Sequence, residues 1–517
     1  MEKKIFYIWL GNFGIAILIS IAVSMEQSYL FVPILIALLL LIPPIYILFL
    51  VIALNPFADW IVVKYPSLFS KLFIDILILA FISSVVIRNS ILKKKWVSSP
   101  FIKCAICLLA FFIISSLLHW TTLEDIILIH WIHFRFLYLA IALTQLRFTS
   151  NMYQNVVHTL IIVFFIQLVM GSFQALGGEW AKNFFYEESE KVFLSYGALQ
   201  YTNYDTAIHF NLGGPTYIYS TFFSPGHFGS YLIIMLCILV GVRYASKFCT
   251  LPSEEGILRR KKNTFFNILT KKTFYLFIFS IDVILVVLTF NRTAYMNIFF
   301  LLFFIIYLSK DTRKKIILYL AILVFVFFSL IYVENIFQYL MYVKMPEKER
   351  FDPINNFLSL FSGYLAQESP RKTAYWDILP KVLLEMPTWG LGVTSMLNRN
   401  TFFTDLIFLN EALIYVFADA GYVRLLLEYG IMGSIIWGVL LFGIYMHAKK
   451  TYINLNNPYS KMVSLAVMAG IITLIPSSFG TALILSKSYG LYLWMYIGMS
   501  QSCEQKNIVV PKNILVK

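Results

Sequence analysis

The sequence predicts an all-α, polytopic membrane helix bundle, and three observations predict it. Of 517 residues, 59% are hydrophobic and only 13% are charged, with a mean hydropathy of +0.76, against roughly 25% charged in a soluble domain. Apolar runs of about 20 residues, the length that crosses a hydrocarbon core about 30 Å thick, recur along almost the whole chain. These runs, Ile316 to Leu330 for example, lack the alternation of apolar and polar residues that barrel strands require. A soluble fold is therefore excluded. Aromatics at 17% suit interfacial belts and lipid-facing surfaces.

In chain order, apolar runs predict spans near 5–24, 29–54, 72–88, 100–118, 125–144, 155–175, 227–243, 273–290, 294–309, 316–337, 421–447, 462–480 and 483–500, or about 12–14 in all once prolines are considered. Lys3-Lys4 ask for an inside N-terminus, which thirteen spans do not give; either the run over 29–54 breaks at Pro43-Pro44 into two short helices, making fourteen with both termini inside, or the downstream Lys cluster overrides a weak N-terminal signal. The first run, after Lys3-Lys4 and ending Ala22-Val23-Ser24, resembles a signal peptide; an uncleaved first span is expected because apolar helices continue beyond it.

Forty-one Lys and Arg against 27 Asp and Glu leave a net charge of +14. The excess gathers in short connections: Lys93-Lys94-Lys95, the stretch from Arg243 to Lys272 with Arg259-Arg260-Lys261-Lys262, and Lys310 to Lys315. Such clusters mark the cytoplasmic side, and orientation accounts for them without nucleic acid as a partner. With these three inside, the spans from the third onward alternate consistently. Residues 1–226 then hold N-terminal helices with an external segment 176–226, and 227–337 hold helices around a basic cytoplasmic loop 244–272. Residues 338–420 form an extracytoplasmic loop subdomain, 421–500 the C-terminal helices and 501–517 a cytoplasmic tail. A loop as long as 338–420 is uncommon unless it is functional, and its amphipathic stretches suggest a folded cap. Five cysteines are too few for a disulfide framework; Cys104 and Cys107 read as core cysteines of an apolar span.

Ionisable side chains inside a span need a partner or a task. Asp75, Arg135 and Asp282 are of this kind, and His130 and His133 lead toward Arg135. Arg135 either pairs with Asp75 or Asp282 to fix helix register or lines a polar cavity that binds substrate. Arg292, in the short turn Phe290-Asn291-Arg292-Thr293, either snorkels to headgroups or grips a phosphate with its planar fork. In the large loop, Arg371-Lys372 precedes Trp376, Pro387, Gly390 and Gly392, so a cationic pair and an aromatic anchor stand beside a glycine turn. Asp419 precedes the next span as an N-cap or a catalytic carboxylate, followed by Tyr422, Arg424 and, deeper in that helix, Glu428. His227, in Ser224-Pro225-Gly226-His227, is either a helix-start residue or a site residue.

The patterns Arg-x-x-x-x-Trp (Arg371, Trp376) with Pro-x-x-Gly-x-Gly (Pro387, Gly390, Gly392), then Asp-x-Gly-Tyr with Leu-Leu-Glu-x-Gly-x-x-Gly (Asp419 to Gly433), and Thr289-Phe290-Asn291-Arg292-Thr293, resemble the O-antigen polymerase and O-antigen ligase superfamily over roughly residues 200–500. The resemblance implies a bacterial inner-membrane glycosyltransferase that takes a glycan from undecaprenyl diphosphate on the outer face, with no metal or nucleotide-sugar cofactor. It further implies a lipid-linked glycan donor and acceptor in the bilayer as partners, along with flippase and chain-length regulator proteins. Arg292 and Arg371 match the positions that engage diphosphate or acceptor sugar, and both are expected to act on one substrate. Ligases carry a His-Asn type motif where this chain has Asp419-Ala420, and no histidine lies in 338–420, which favours a polymerase making O-antigen, capsule or exopolysaccharide.

Chemistry independent of the resemblance asks for the same parts. A diphosphate leaving group needs a cationic clamp, Arg292 and Arg371, and the acceptor hydroxyl needs a base, Asp419 or Glu428; Arg135, His227, Lys372, Trp376, Tyr422 and Arg424 are the candidate substrate-binding residues. The alternatives are a ligase or a transporter of the lipid-linked glycan; a fixed external cap suits an enzyme better than alternating access.

Overall fold

The computed structural model describes residues 35–36, 39–64, 68–118, 123–146, 148–185, 218, 220–222, 225–245, 272–289, 292–308, 384, 388–389, 421–454, 457–478, 484 and 486–502. The expected spans 5–24 and 316–337 lie outside these residues, as does nearly all of the 338–420 loop. The regular elements are helical: α1 (Pro44–Leu54), a 3-10 turn (Asn55–Phe57), α2 (Ala58–Lys64), α3 (Leu68–Ile91), α4 (Pro100–Leu118), α5 (Leu123–Gln145), α6 (Ser150–Phe185), α7 (Pro225–Ala245), α8 (Lys272–Leu288), α9 (Arg292–Leu308), α10 (Gly421–Asn454), α11 (Pro458–Ser477) and α12 (Gly490–Ser502). Among the described residues, 7 helical stretches are long and apolar enough to cross a membrane, and Thr273–Val286 and Thr293–Leu308 are shorter apolar helices.

Local chemistry sets where these helices begin. Proline opens α1, α4, α7 and α11, where its missing N–H costs nothing and its fixed φ is already helical. Side-chain oxygens cap α4, α6 and α11: Ser99 Oγ accepts from Ile102 N at 3.3 Å, Thr149 Oγ1 from Met152 N at 3.3 Å and Asn457 Oδ1 from Tyr459 N at 2.9 Å. Each cap is worth about 1 kcal/mol. The helix before α1 breaks at Pro43, the first of the two alternatives for the run over 29–54.

Three boundaries differ from expectation. The second run does not end at 54; the Asn-Pro turn only tightens it, and apolar helix continues to Val62. The α6 helix runs for 36 residues, about 54 Å, beyond the expected 155–175. The last span starts at Gly490 and not near 483, because Ser486 Oγ accepts from Tyr489 N at 3.1 Å and closes a turn there.

Packing separates a buried centre from a lipid-facing rim. Residues 228–242 of α7 are buried on every side, and all of α12 is buried; α7 packs on α11, α12 on α5, and α11 on α9, α10 and α12. Small residues permit these approaches: a Cβ on Gly241 would strike the Met462 carbonyl, and one on Gly498 would lie 2.7 Å from the Ala140 carbonyl. Outward-facing Ile431, Ile435, Val439 and Phe442 give α10 an apolar face. Cys104 packs partly against the core, whereas Cys107 is exposed on α4, both as free thiols; the expectation of two core cysteines holds for Cys104 alone, because α4 is a rim helix and a C-x-x-C spacing turns the second thiol toward its outer face.

Hydrogen bonds identify the two ends of the bundle. At one, Val97 pairs with Gln145 at 2.9 Å, Tyr153 OH donates to Met499 O at 2.7 Å, and Ser464 lies 3.5 Å from Ser500; the Lys93 cluster and Arg243 belong to this basic end. At the other, Ile218 N donates to Leu288 O at 3.4 Å and Tyr422 N to Ser478 O at 3.0 Å. The described helices near these bonds therefore run alternately from one end to the other.

Candidate functional site

The ion pairs among the described residues lie in the half of the bundle away from the basic connections. Asp75 of α3 accepts from Arg135 Nη1 of α5 at 2.7 Å, and Lys487 Nζ stands 3.7 Å from the same carboxylate. Of the two carboxylates available to Arg135, Asp75 is the partner. One carboxylate shared by two cations leaves a surplus positive charge, with the Lys487 side chain 31% exposed. Asn55 Nδ2 donates to Lys487 O at 3.0 Å and to the Tyr492 hydroxyl at 3.3 Å, fixing the turn that carries Lys487.

A second pair lies beside it. His133 Nε2 is 3.4 Å from Glu428 Oε2, with side chains 4% and 2% exposed. Phe112, Phe134 and Tyr429 pack against His133 or each other around the pair, and His130 hydrogen-bonds the Tyr138 hydroxyl. Two residues beyond Glu428, Gly430 adopts φ 62 and ψ −167 and kinks α10, so Glu428 can point into the bundle while the rest of α10 follows the rim. The large loop reaches this place: Trp389 stacks on Phe111 with centroids 5.0 Å apart, and Ser115 Oγ donates to its carbonyl at 3.2 Å.

The segment before α7 is held by two glutamines of α6. Gln174 Nε2 donates to Ser220 O at 2.8 Å and its Oε1 accepts from Ser220 N at 2.6 Å, while Gln167 Oε1 accepts from Ser220 Oγ at 2.7 Å and Thr221 Oγ1 at 2.9 Å. This clamp accommodates Ser220 at φ 51. Nearby, half-exposed His227 lies 3.5 Å from Asp59. Tyr422 OH donates to Ile475 O at 2.7 Å, tying the start of α10 to the end of α11.

Of the residues singled out from sequence, His227 and Tyr422 are at this end, while Arg135, midway along α5, and Glu428 lie deeper in the bundle, each with a partner. Arg292 and Arg424 are placed in the backbone as the first residue of α9 and in the first turn of α10; their side chains lie outside the described residues, as do Arg371, Lys372, Trp376 and Asp419. The expected meeting of Arg292 with Arg371 falls there too. Sequence reading passed over Lys487, hidden in an apolar run, and Trp389, although it sits between Pro387 and Gly390 of a noted motif.

An all-helical bundle with this many apolar helices is a multi-pass integral membrane protein. Residues 275–438, less than half of the chain, match the family model described as O-Antigen ligase, so this stretch is similar to the O-antigen polymerase and ligase family, whose members polymerise or ligate lipid-linked glycans. No curated protein matches the chain. The matched stretch includes Arg292, Arg371, Asp419 and Glu428, whereas Arg135, His133, His227 and Lys487 come from outside it.

Proposed function

We propose that this protein is a polymerase that joins undecaprenyl-diphosphate-linked repeat units on the outer face of the bacterial plasma membrane. The observation that carries the reading is the seat of Trp389 on Phe111, at the end of the bundle opposite the basic connections. Basic connections belong in the cytoplasm, so a loop at the other end meets glycans that have already crossed. The absence of histidine from 338–420 favours polymerase over ligase.

In the proposed reaction, an acceptor sugar hydroxyl attacks the anomeric carbon of the donor. The bond from that carbon to the diphosphate oxygen breaks, a glycosidic bond forms, and the hydroxyl proton passes to a carboxylate. Arg292 and Arg371 stabilise the departing diphosphate, Arg371 as a bidentate fork. Asp419 is the base we assign, because Glu428 is buried and committed to His133. Lys372, Trp376, Tyr422 and Arg424 line the sugar side. The surplus charge at Arg135 and Lys487, with His227 at the same end, draws the anionic headgroup toward it.

Reconstitution with a lipid-linked repeat already on the outer leaflet tests the reading. Growth of a glycan ladder is expected. Transfer only to added lipid A core would make the protein a ligase, and movement between leaflets without growth would make it a transporter.

A further inference from the structure

Asp282 of α8 has no exposure, and neither of its carboxylate oxygens has a hydrogen-bond partner among the described residues. The same is true of the Tyr231 hydroxyl on α7 and of both amide atoms of Asn297 on α9, each side chain fully buried. Asp282 is close enough to Tyr231 for its charge to act on the phenol. The α7 helix packs against both α8 and α9.

The three groups share a depth. Asp282 is six residues from the end of α8, Asn297 five from the start of α9, and Tyr231 six from the start of α7; at about 1.5 Å per residue each lies roughly 8–9 Å below the non-basic end. The bond from Ile218 N to Leu288 O ties the segment before α7 to the end of α8. Other hydroxyls in the vicinity are already committed: Tyr492 interacts with Asn55 and with Ile52 O, and Tyr496 with Met235.

A bare carboxylate is strongly unfavourable in apolar surroundings, and an intramembrane carboxylate calls for a counter-charge. Hard cations take oxygen donors at about 2.4 Å, and oxygens that share one ion satisfy each other through it without hydrogen-bonding directly; none of these oxygens has a hydrogen-bond partner among the described residues. One negative charge with neutral amide and phenol oxygens matches a single positive charge; a divalent ion would leave a surplus in the apolar core.

We propose that Asp282, Tyr231 and Asn297 form an intramembrane site for a monovalent alkali cation, which fastens the α8–α9 hairpin to α7. The hairpin carries Arg292 as the first residue of α9, so the ion fixes the position of that arginine's backbone.

The test is thermal unfolding of the full-length protein in detergent, in sodium chloride and in choline chloride at matched ionic strength. A saturable rise in Tm of a few degrees with sodium is expected for the native chain. The rise should vanish in Asp282→Asn and need several-fold more sodium in Tyr231→Phe, which keeps the ring packed on Tyr492. Equal Tm in the two salts overturns the proposal, as does a sodium response retained in Asp282→Asn; a carboxylate that simply holds a proton would give the first result. Should Asp282→Asn fail to fold, an unchanged sodium response in Tyr231→Phe overturns it equally.

Discussion

His133 and Glu428 face each other at 3.4 Å with almost no exposure, so neither can lose the other cheaply. His133→Ala leaves a carboxylate buried among aromatic rings, and a loss of about 3 kcal/mol is expected. Glu428→Gln keeps a hydrogen-bonding group against the imidazole and is expected to lose only about 1 kcal/mol; comparing the two unfolding midpoints checks the order. Arg371 is different, since the proposed role is in the reaction. Arg371→Ala is expected to abolish polymer at normal membrane abundance, and Arg371→Lys to restore little of it because the planar fork is gone; full-length polymer from Arg371→Ala would remove the residue from the mechanism. The intramembrane charges were legible in the sequence because hydrocarbon makes any ionisable residue conspicuous. Their pairing was not. Arg135 had two carboxylates within plausible reach, and the choice of Asp75 depends on α3 packing against α5, which hydropathy does not encode. Lys487 escaped notice because a single cation inside an apolar run barely changes its average.

The kink in α10 rests on one residue. Gly430 at φ 62, ψ −167 occupies a region essentially closed to other residues, so Gly430→Ala is expected to cost about 1–3 kcal/mol and to turn Glu428 away from His133. A lowered Tm together with loss of additivity between Gly430→Ala and His133→Ala would show that coupling; full additivity would deny it. The element order itself was well encoded, because about 20 apolar residues bounded by charge or proline leave little choice in a bilayer; α4, at Pro100–Leu118, falls on its expected limits. Where hydropathy misplaced an end, hydrogen bonding had decided it: Ser486 delays α12, and the Asn55–Phe57 turn bends the apolar run without ending it. The kink left a different kind of trace. Gly430 was visible in a motif, but only the backbone angles distinguish a required glycine from a tolerated one.

At the scale of the whole molecule, the bundle has one basic end and one that gathers buried ion pairs and receives Trp389. A cysteine introduced at Ser369 is expected to react with a membrane-impermeant thiol reagent added outside the cell, and one at Lys94 only with reagent admitted to the cytoplasm; the reverse pattern would invert the molecule and remove the proposed mechanism. The Glu428–His133 pair also bears on inheritance and exchange. Glu428 belongs to the stretch that matches the family model, and His133 to a helix well before it, so the recognisable segment is not a cassette. Grafting residues 275–438 into a relative would carry the acid without its counterpart and Trp389 without Phe111. Such a chimera is expected to accumulate poorly until α4 and α5 travel with it, and two halves of this chain that drift apart in different lineages should become mutually incompatible at those two seams first.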